Sequence, residues 1–164
     1  MKRDGHVVGL HSREHKCPIF QGIKGTRADF ESSLEIMNGL DVKIKYFRPP
    51  WGTFNLALIK ELRKRGLKVL LWSVMVGDWS AGVTADEIAD RLLAKTGKGS
   101  VICIHDGRGA EGAPGRTVAA LEKVLPVWIE EGYRFETAED FYRGGTAEDF
   151  YRGDVPEDRS RVIE

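Results

Sequence analysis

An α/β fold is what the sequence predicts: a parallel sheet or barrel covered by helices. Two observations carry that expectation. Short runs rich in Val, Leu, Ile and aromatic residues alternate with helix-length stretches whose apolar residues recur at three- and four-residue spacing. Each unusual polar cluster follows directly on one of the short runs, where parallel folds place the carboxyl ends of their strands and gather their chemistry. The 164 residues suit one domain, and 41% hydrophobic with 30% charged residues is ordinary for a chain that buries a core.

In chain order, strands are expected at "HVVGL" (6–10), "KYF" (45–47), "LKVLLWSV" (67–74), "SVICI" (100–104) and "YRF" (133–135). Helices are expected at 27–39, 54–66, 84–97 and 115–132. Thr84 with Glu87 three later reads as a capping box, and Gly66, Gly97 and Gly132 fall where a left-handed residue ends a helix. "TAEDFYRG" occurs at 137–144 and again at 146–153, followed by a charged end. Two copies are too few for a solenoid, so the repeat reads as a local duplication, and the segment 144–164 is expected to be mobile.

Lys plus Arg and Asp plus Glu number 25 each, so no global field draws the chain to nucleic acid or an anionic membrane, whereas a neutral partner such as a sugar is compatible. No apolar run approaches the length of a membrane span. Of two cysteines, Cys103 lies inside an apolar run and reads as a buried thiol.

Four polar clusters remain. "HSREH" brings His11 and His15 four apart; neutral imidazoles ligate zinc-like metals, but a catalytic site needs a third protein ligand, for which Cys17 is one candidate and an ordinary loop thiol the other reading. "FRPPWG" is a rigid turn that places Arg48 to hold a carboxylate and aims the Trp51 N–H at a fixed point. "GDWS" carries Asp78 and Trp79. "ICIHDG" sets His105 after a hydrophobic strand, as a proton donor to a leaving amine. "GRGAEG" (107–112) matches a dinucleotide fingerprint in letters, but the helix begins only after it; the glycines are expected to form a mobile loop over the site.

With these clusters in this order, the chain resembles the polysaccharide deacetylase (NodB-homology) family, carbohydrate esterase family 4, over roughly 5–143. The resemblance implies that His11 and His15 ligate a divalent metal, zinc first, with cobalt, nickel or manganese as alternatives. Arg48, Pro49 and Trp51 match a groove wall, with Trp51 in place of the usual Tyr. Asp78 and Trp79 match the "D-W" wall, and "ICIH" (102–105) matches "L-x-H", with Ile104 near the acetyl methyl. The implied chemistry is hydrolysis of the acetamide of an N-acetylated sugar by metal-activated water. The metal and the Trp51 N–H stabilise the oxyanion, His105 acts as general acid, and Arg48 holds a base aspartate. Asp78 counts with the catalytic set; Pro49, Trp79 and Ile104 contact substrate.

Two departures modify this. The family's "T-F-D-D-G-P", source of the base and of a metal-ligating aspartate, is not in the 164 residues, and Met75 stands where "D-x-x-D-W" has its first acid. Its missing partners are expected in sequence preceding Met1, and little activity is expected from the chain as written. The implied fold is an incomplete NodB-type (β/α) barrel over 1–143 lacking its first strand–helix units. Its exposed sheet edges would favour oligomers or segment swapping. The alternative is a carbohydrate-binding or assembly remnant without catalysis.

Overall fold

The computed structural model describes residues 2–143 and 162–163, which form an α/β structure in two compact units, residues 1–71 and 72–164. Each has its own core.

The first unit contains α1 (Pro18–Gly39), β1 (Tyr46–Phe47), a 3-10 turn (Pro50–Gly52), α2 (Leu56–Arg65) and β2 (Lys68–Val69), with β1 and β2 parallel. Leu10, Phe30, Phe47, Leu58 and Leu62 form its core. α1 starts nine residues earlier than its periodicity suggests, because Pro18 fits a first helical turn and the break appears as a non-helical Gly22 inside the helix (φ 68°, ψ 172°). α2 is capped by Asn55, whose side-chain oxygen accepts the Leu58 N–H while its amide donates to the Pro18 carbonyl and to Thr26 Oγ1. Buried Glu61 on α2 engages Arg65 on its own helix and Arg27 of α1 (3.4 Å), and the Arg65 guanidinium lies 5.3 Å over the Phe30 ring. A buried carboxylate without such partners would be costly.

The second unit contains β3 (Val74–Met75), α3 (Ala85–Lys95), β4 (Ile102–Cys103), α4 (Ala113–Glu130), β5 (Arg134–Phe135), α5 (Ala138–Arg143) and β6 (Val162–Ile163), with β3–β4 and β5–β6 parallel. Val74, Val76, Ile88, Leu92, Ile102, Val124 and Trp128 are among its core residues. The Thr84–Glu87 capping box is present: Thr84 Oγ1 accepts the Glu87 N–H at 3.2 Å and Glu87 accepts the Thr84 N–H at 2.8 Å.

Three expectations need correction. The strand at 6–10 reduces to Leu10, the residue that bridges Phe47. The run at 67–74 divides into β2 and β3, because Ser73 and Val74 N–H both converge on the Val101 carbonyl (2.9 and 3.1 Å), a bulge-like two-against-one pairing that interrupts a regular ladder. Gly66 and Gly132 are left-handed as expected (φ 61° and 79°), but α3 ends at Lys95 with Thr96 extended, and the left-handed residue there is Gly99 rather than Gly97. The first "TAEDFYRG" copy forms α5, with Thr137 Oγ1 accepting the Asp140 N–H (3.3 Å); the second copy and the charged segment to 161 lie outside the described residues.

Candidate active site

The chain end of "HVVGL" delivers the first cluster. Leu10 pairs with β1 through the Leu10 N–H to Tyr46 carbonyl and Arg48 N–H to Leu10 carbonyl bonds (2.9 Å each), so His11 emerges beside Arg48. His11 Nδ1 donates to the Arg48 carbonyl at 2.7 Å. That bond selects the tautomer and leaves the His11 Nε2 lone pair facing outward. His15 Nε2 lies 3.2 Å from it.

Two nitrogens this close share either a proton or a cation. Bonds of about 2.0–2.1 Å at a tetrahedral centre put two ligand nitrogens roughly 3.3 Å apart, so the pair fits two corners of a zinc-class site. Among the described residues no group of three or more His, Cys, Asp or Glu gathers closely enough to hold a metal. Cys17 does not join the histidines; its Sγ lies 3.3 Å from Thr53 Oγ1, and the hydrogen bond from Thr53, opposed by partial desolvation and aided by the Ile19 and Phe20 amides, holds the thiol below its ordinary pKa.

The proline turn is present as a 3-10 turn. Pro49 and Pro50 are buried, and Trp51 is left-handed (φ 54°, ψ 14°). Its indole is exposed and its ring lies 4.7 Å from that of His15. The Arg48 side chain donates from Nε to the Leu70 carbonyl (3.3 Å). Ser12 and His15 are also left-handed (φ 68° and 50°), so three of the five non-glycine residues with positive φ among those described surround the histidine pair. Such concentration of backbone strain marks functional sites.

The second unit holds the second cluster, Asp78, Trp79, Ile104 and His105. Asp78 is fully buried and accepts three donors. His105 Nδ1–H reaches Oδ1 (3.0 Å), while the His105 backbone N–H (2.6 Å) and Thr117 Oγ1 (3.2 Å) reach Oδ2. Burial alone would push the Asp78 carboxyl up; the side-chain and backbone bonds from His105 outweigh it and leave the group below its ordinary range. The His105 imidazole is raised to about 10, first by its bond to Asp78 and then by the neighbouring Cys103 side chain, against desolvation. At neutral pH the ring is therefore a cation.

Trp79 leans on that ring edge-on, centroids 5.0 Å apart, and Ile104 packs half-buried against the second core. The glycine loop that was expected to be mobile is pinned. Ala110 N–H donates to the Trp79 carbonyl (2.9 Å), and Arg116 bonds both the Glu111 carbonyl (3.0 Å) and the Ser80 carbonyl (2.9 Å). Gly109, at φ 80°, lies so near that an added Cβ would meet the Trp79 carbonyl oxygen at 2.8 Å. Met75 sits opposite Cys103 in the β3–β4 register.

A family model described as polysaccharide deacetylase matches residues 1–70, the segment that carries the histidine pair and the proline turn. The resemblance carried by the sequence motifs is thus matched by a polysaccharide deacetylase family model over this part of the chain. Among relatives of the chain, a Bacillus cereus peptidoglycan-N-acetylglucosamine deacetylase is 29% identical over 146 residues, covering 84% of this chain and 64% of the relative. A chitooligosaccharide deacetylase from Azorhizobium caulinodans is 28% identical, covering 81% and 68%. A crystal structure of a peptidoglycan N-acetylglucosamine deacetylase in complex with 4-naphthalen-1-yl-N-oxidanyl-benzamide superposes with a TM-score of 0.76 at 29% identity, covering 88% of this chain and 66% of that one. The chain thus spans about two thirds of the length of these relatives.

The sequence did not reveal Asp29, Thr117 or Arg116 as parts of the two clusters. A signal existed for two of them. Asp29 shares the buried stripe Thr26, Asp29, Phe30, Ser33 of α1, and Thr117 the stripe Ala113, Thr117, Ala120, Val124 of α4. A polar side chain at core spacing needs a buried partner. Arg116 carries no comparable mark.

Proposed function

We propose that the chain acts as a metal-dependent N-deacetylase on N-acetylated sugars of a polysaccharide or oligosaccharide. The observation that carries this reading is the 3.2 Å approach of the His11 and His15 Nε2 atoms with the His11 tautomer already fixed.

His11 and His15 would hold a zinc-class ion through Nε2. When bound, such an ion supplies Lewis-acid polarisation of an acyl oxygen. In the first unit, the Gly52 and Thr53 amides are spent on the Pro49 and Pro50 carbonyls, and the turn keeps the Trp51 N–H for an oxyanion. Pro49, buried beneath that turn, contributes to substrate binding by fixing it. Arg48 supports the pair through its carbonyl, and its guanidinium suits a carboxylate. In the second unit, Asp78 orients His105 through Nδ1, so Nε2 gives up the proton that a departing amine requires. A cationic His105 holds the proton that a general acid must give, and at about 10 it holds it more tightly than the near-neutral pKa at which such transfer is most efficient. Trp79 and Ile104 supply apolar surface for a sugar ring and an acetyl methyl. Because no base aspartate of the family pattern stands in these 164 residues, the reading includes a turnover well below that of a complete site.

The exposed Trp51 and Trp79 rings, each leaning on a functional histidine, also favour a second reading, a sugar-binding unit without hydrolysis. Two measurements on the full chain separate them. Zinc titration by calorimetry is expected to reveal one site that His11→Ala or His15→Ala removes. Acetate release from N-acetylglucosamine oligomers is expected to be slow, zinc-dependent and abolished by His105→Ala. Oligomer binding with no zinc site and no acetate would establish the non-catalytic reading instead.

A further inference from the structure

The loop that carries the histidine pair is strained at both ends. Left-handed φ is costly for residues that carry a Cβ, and at Ser12 and His15 it persists only where the surroundings over-determine it. The ion pairs on the loop cannot do this. Arg13 and Lys16 reach Glu14 at 3.8 and 3.5 Å, all three side chains lie largely in solvent, and such pairs contribute little.

What does hold the loop is a side chain from another element. Asp29, buried on α1, accepts the Ser12 hydroxyl on Oδ2 (2.7 Å) and the Glu14 N–H on Oδ1 (2.8 Å). Ser12 Oγ accepts in turn the His15 N–H (3.0 Å). One carboxylate therefore secures three consecutive features of the loop: the hydroxyl after the first histidine, the amide before the second, and, through that hydroxyl, the amide of the second. Ser32 and Ser33 hydroxyls donate to the Asp29 carbonyl (3.0 and 2.6 Å), anchoring the residue on its own helix.

We infer that Asp29 is a positioning residue that sets the spacing of His11 and His15 for a cation, acting through Ser12 on the backbone and not on either imidazole. The inference rests on the reading that the pair binds a divalent metal. Groups that orient metal ligands typically change affinity by about 10–100-fold, so the effect is measurable.

The test uses the full chain with zinc as the probe and amide hydrogen exchange as a readout independent of metal. In Asp29→Ala, exchange at Glu14 and His15 is expected to accelerate at least tenfold while α2 amides keep their rates, and zinc affinity is expected to fall about 10–100-fold. Ser12→Ala is expected to accelerate His15 exchange and weaken zinc in the same way, and it carries the test should Asp29→Ala fail to fold. Asp29→Asn, which keeps one acceptor oxygen, is expected to fall between. Unchanged exchange at Glu14 and His15 in folded variants overturns the clamp; accelerated exchange with wild-type zinc affinity overturns the positioning role. A wild-type chain that takes up no zinc removes the metal reading of the site, while the exchange data still decide whether Asp29 holds the loop.

Discussion

At the residue scale, one interaction governs the second cluster. Asp78 and His105 hold each other charged, the first below 3.8 and the second at about 10 against 6.5. Asp78 stabilises the fold above pH 3.8, and this is lost as pH falls through its depressed folded value. The raised imidazole stabilises fully below pH 6.5, and this is lost as pH rises from there to about 10. The pair's contribution is therefore complete between 3.8 and 6.5, and thermal unfolding measured across pH is expected to decline on both sides of that window. Asp78→Asn is expected to bring His105 down from about 10 toward 6.5 in an NMR titration of the imidazole protons; a value that stays near 10 would assign the shift to Cys103. These residues were legible in the sequence because each follows an apolar run directly. Asp29 was not, because its partners lie 15 and 17 positions away and the hydrogen bonds exist only once α1 folds over the loop.

At the element scale, local signals were reliable where a few neighbouring residues decide the outcome and misleading where pairing does. The Thr84–Glu87 box and the Gly66 cap are settled within one helical turn and were readable directly. The run 67–74 has uniform strand propensity, yet whether it continues depends on the amides that find the Val101 carbonyl, which no local pattern encodes. The 107–112 loop makes the same point: its glycines suggested freedom, and one of them exists to let the loop backbone press against Trp79. Gly109→Ala is expected to destabilise by about 1–3 kcal/mol, from the positive φ and the clash with Trp79 together, read by denaturant unfolding. An unaltered midpoint would mean that the loop yields.

For the whole molecule, alternation of strand and helix was sufficient to read an α/β fold, and the three strand pairs among the described residues are parallel, as expected of that class. The two cores were not anticipated, because composition says how much apolar surface exists and not how it is divided. Leu58 belongs to one core and Ile88 to the other. Leu58→Ala and Ile88→Ala are each expected to cost about 2–5 kcal/mol, since both side chains are almost wholly enclosed. Exchange of the α2 amides after the first substitution and of the α3 amides after the second reads each loss where it arises. A loss below 1 kcal/mol at either position would mean that its surroundings collapse around the smaller side chain.

The ring contact between Trp51 and His15 gives the chain an optical reporter of its own. Indole emission responds to the charge and polarity of a ring in contact with it, and a metal ion on the His15 nitrogen changes both. Trp79 lies against His105 and not against the histidine pair. A change in indole emission on adding zinc that Trp51→Phe removes therefore reports loading of the histidine pair without a label.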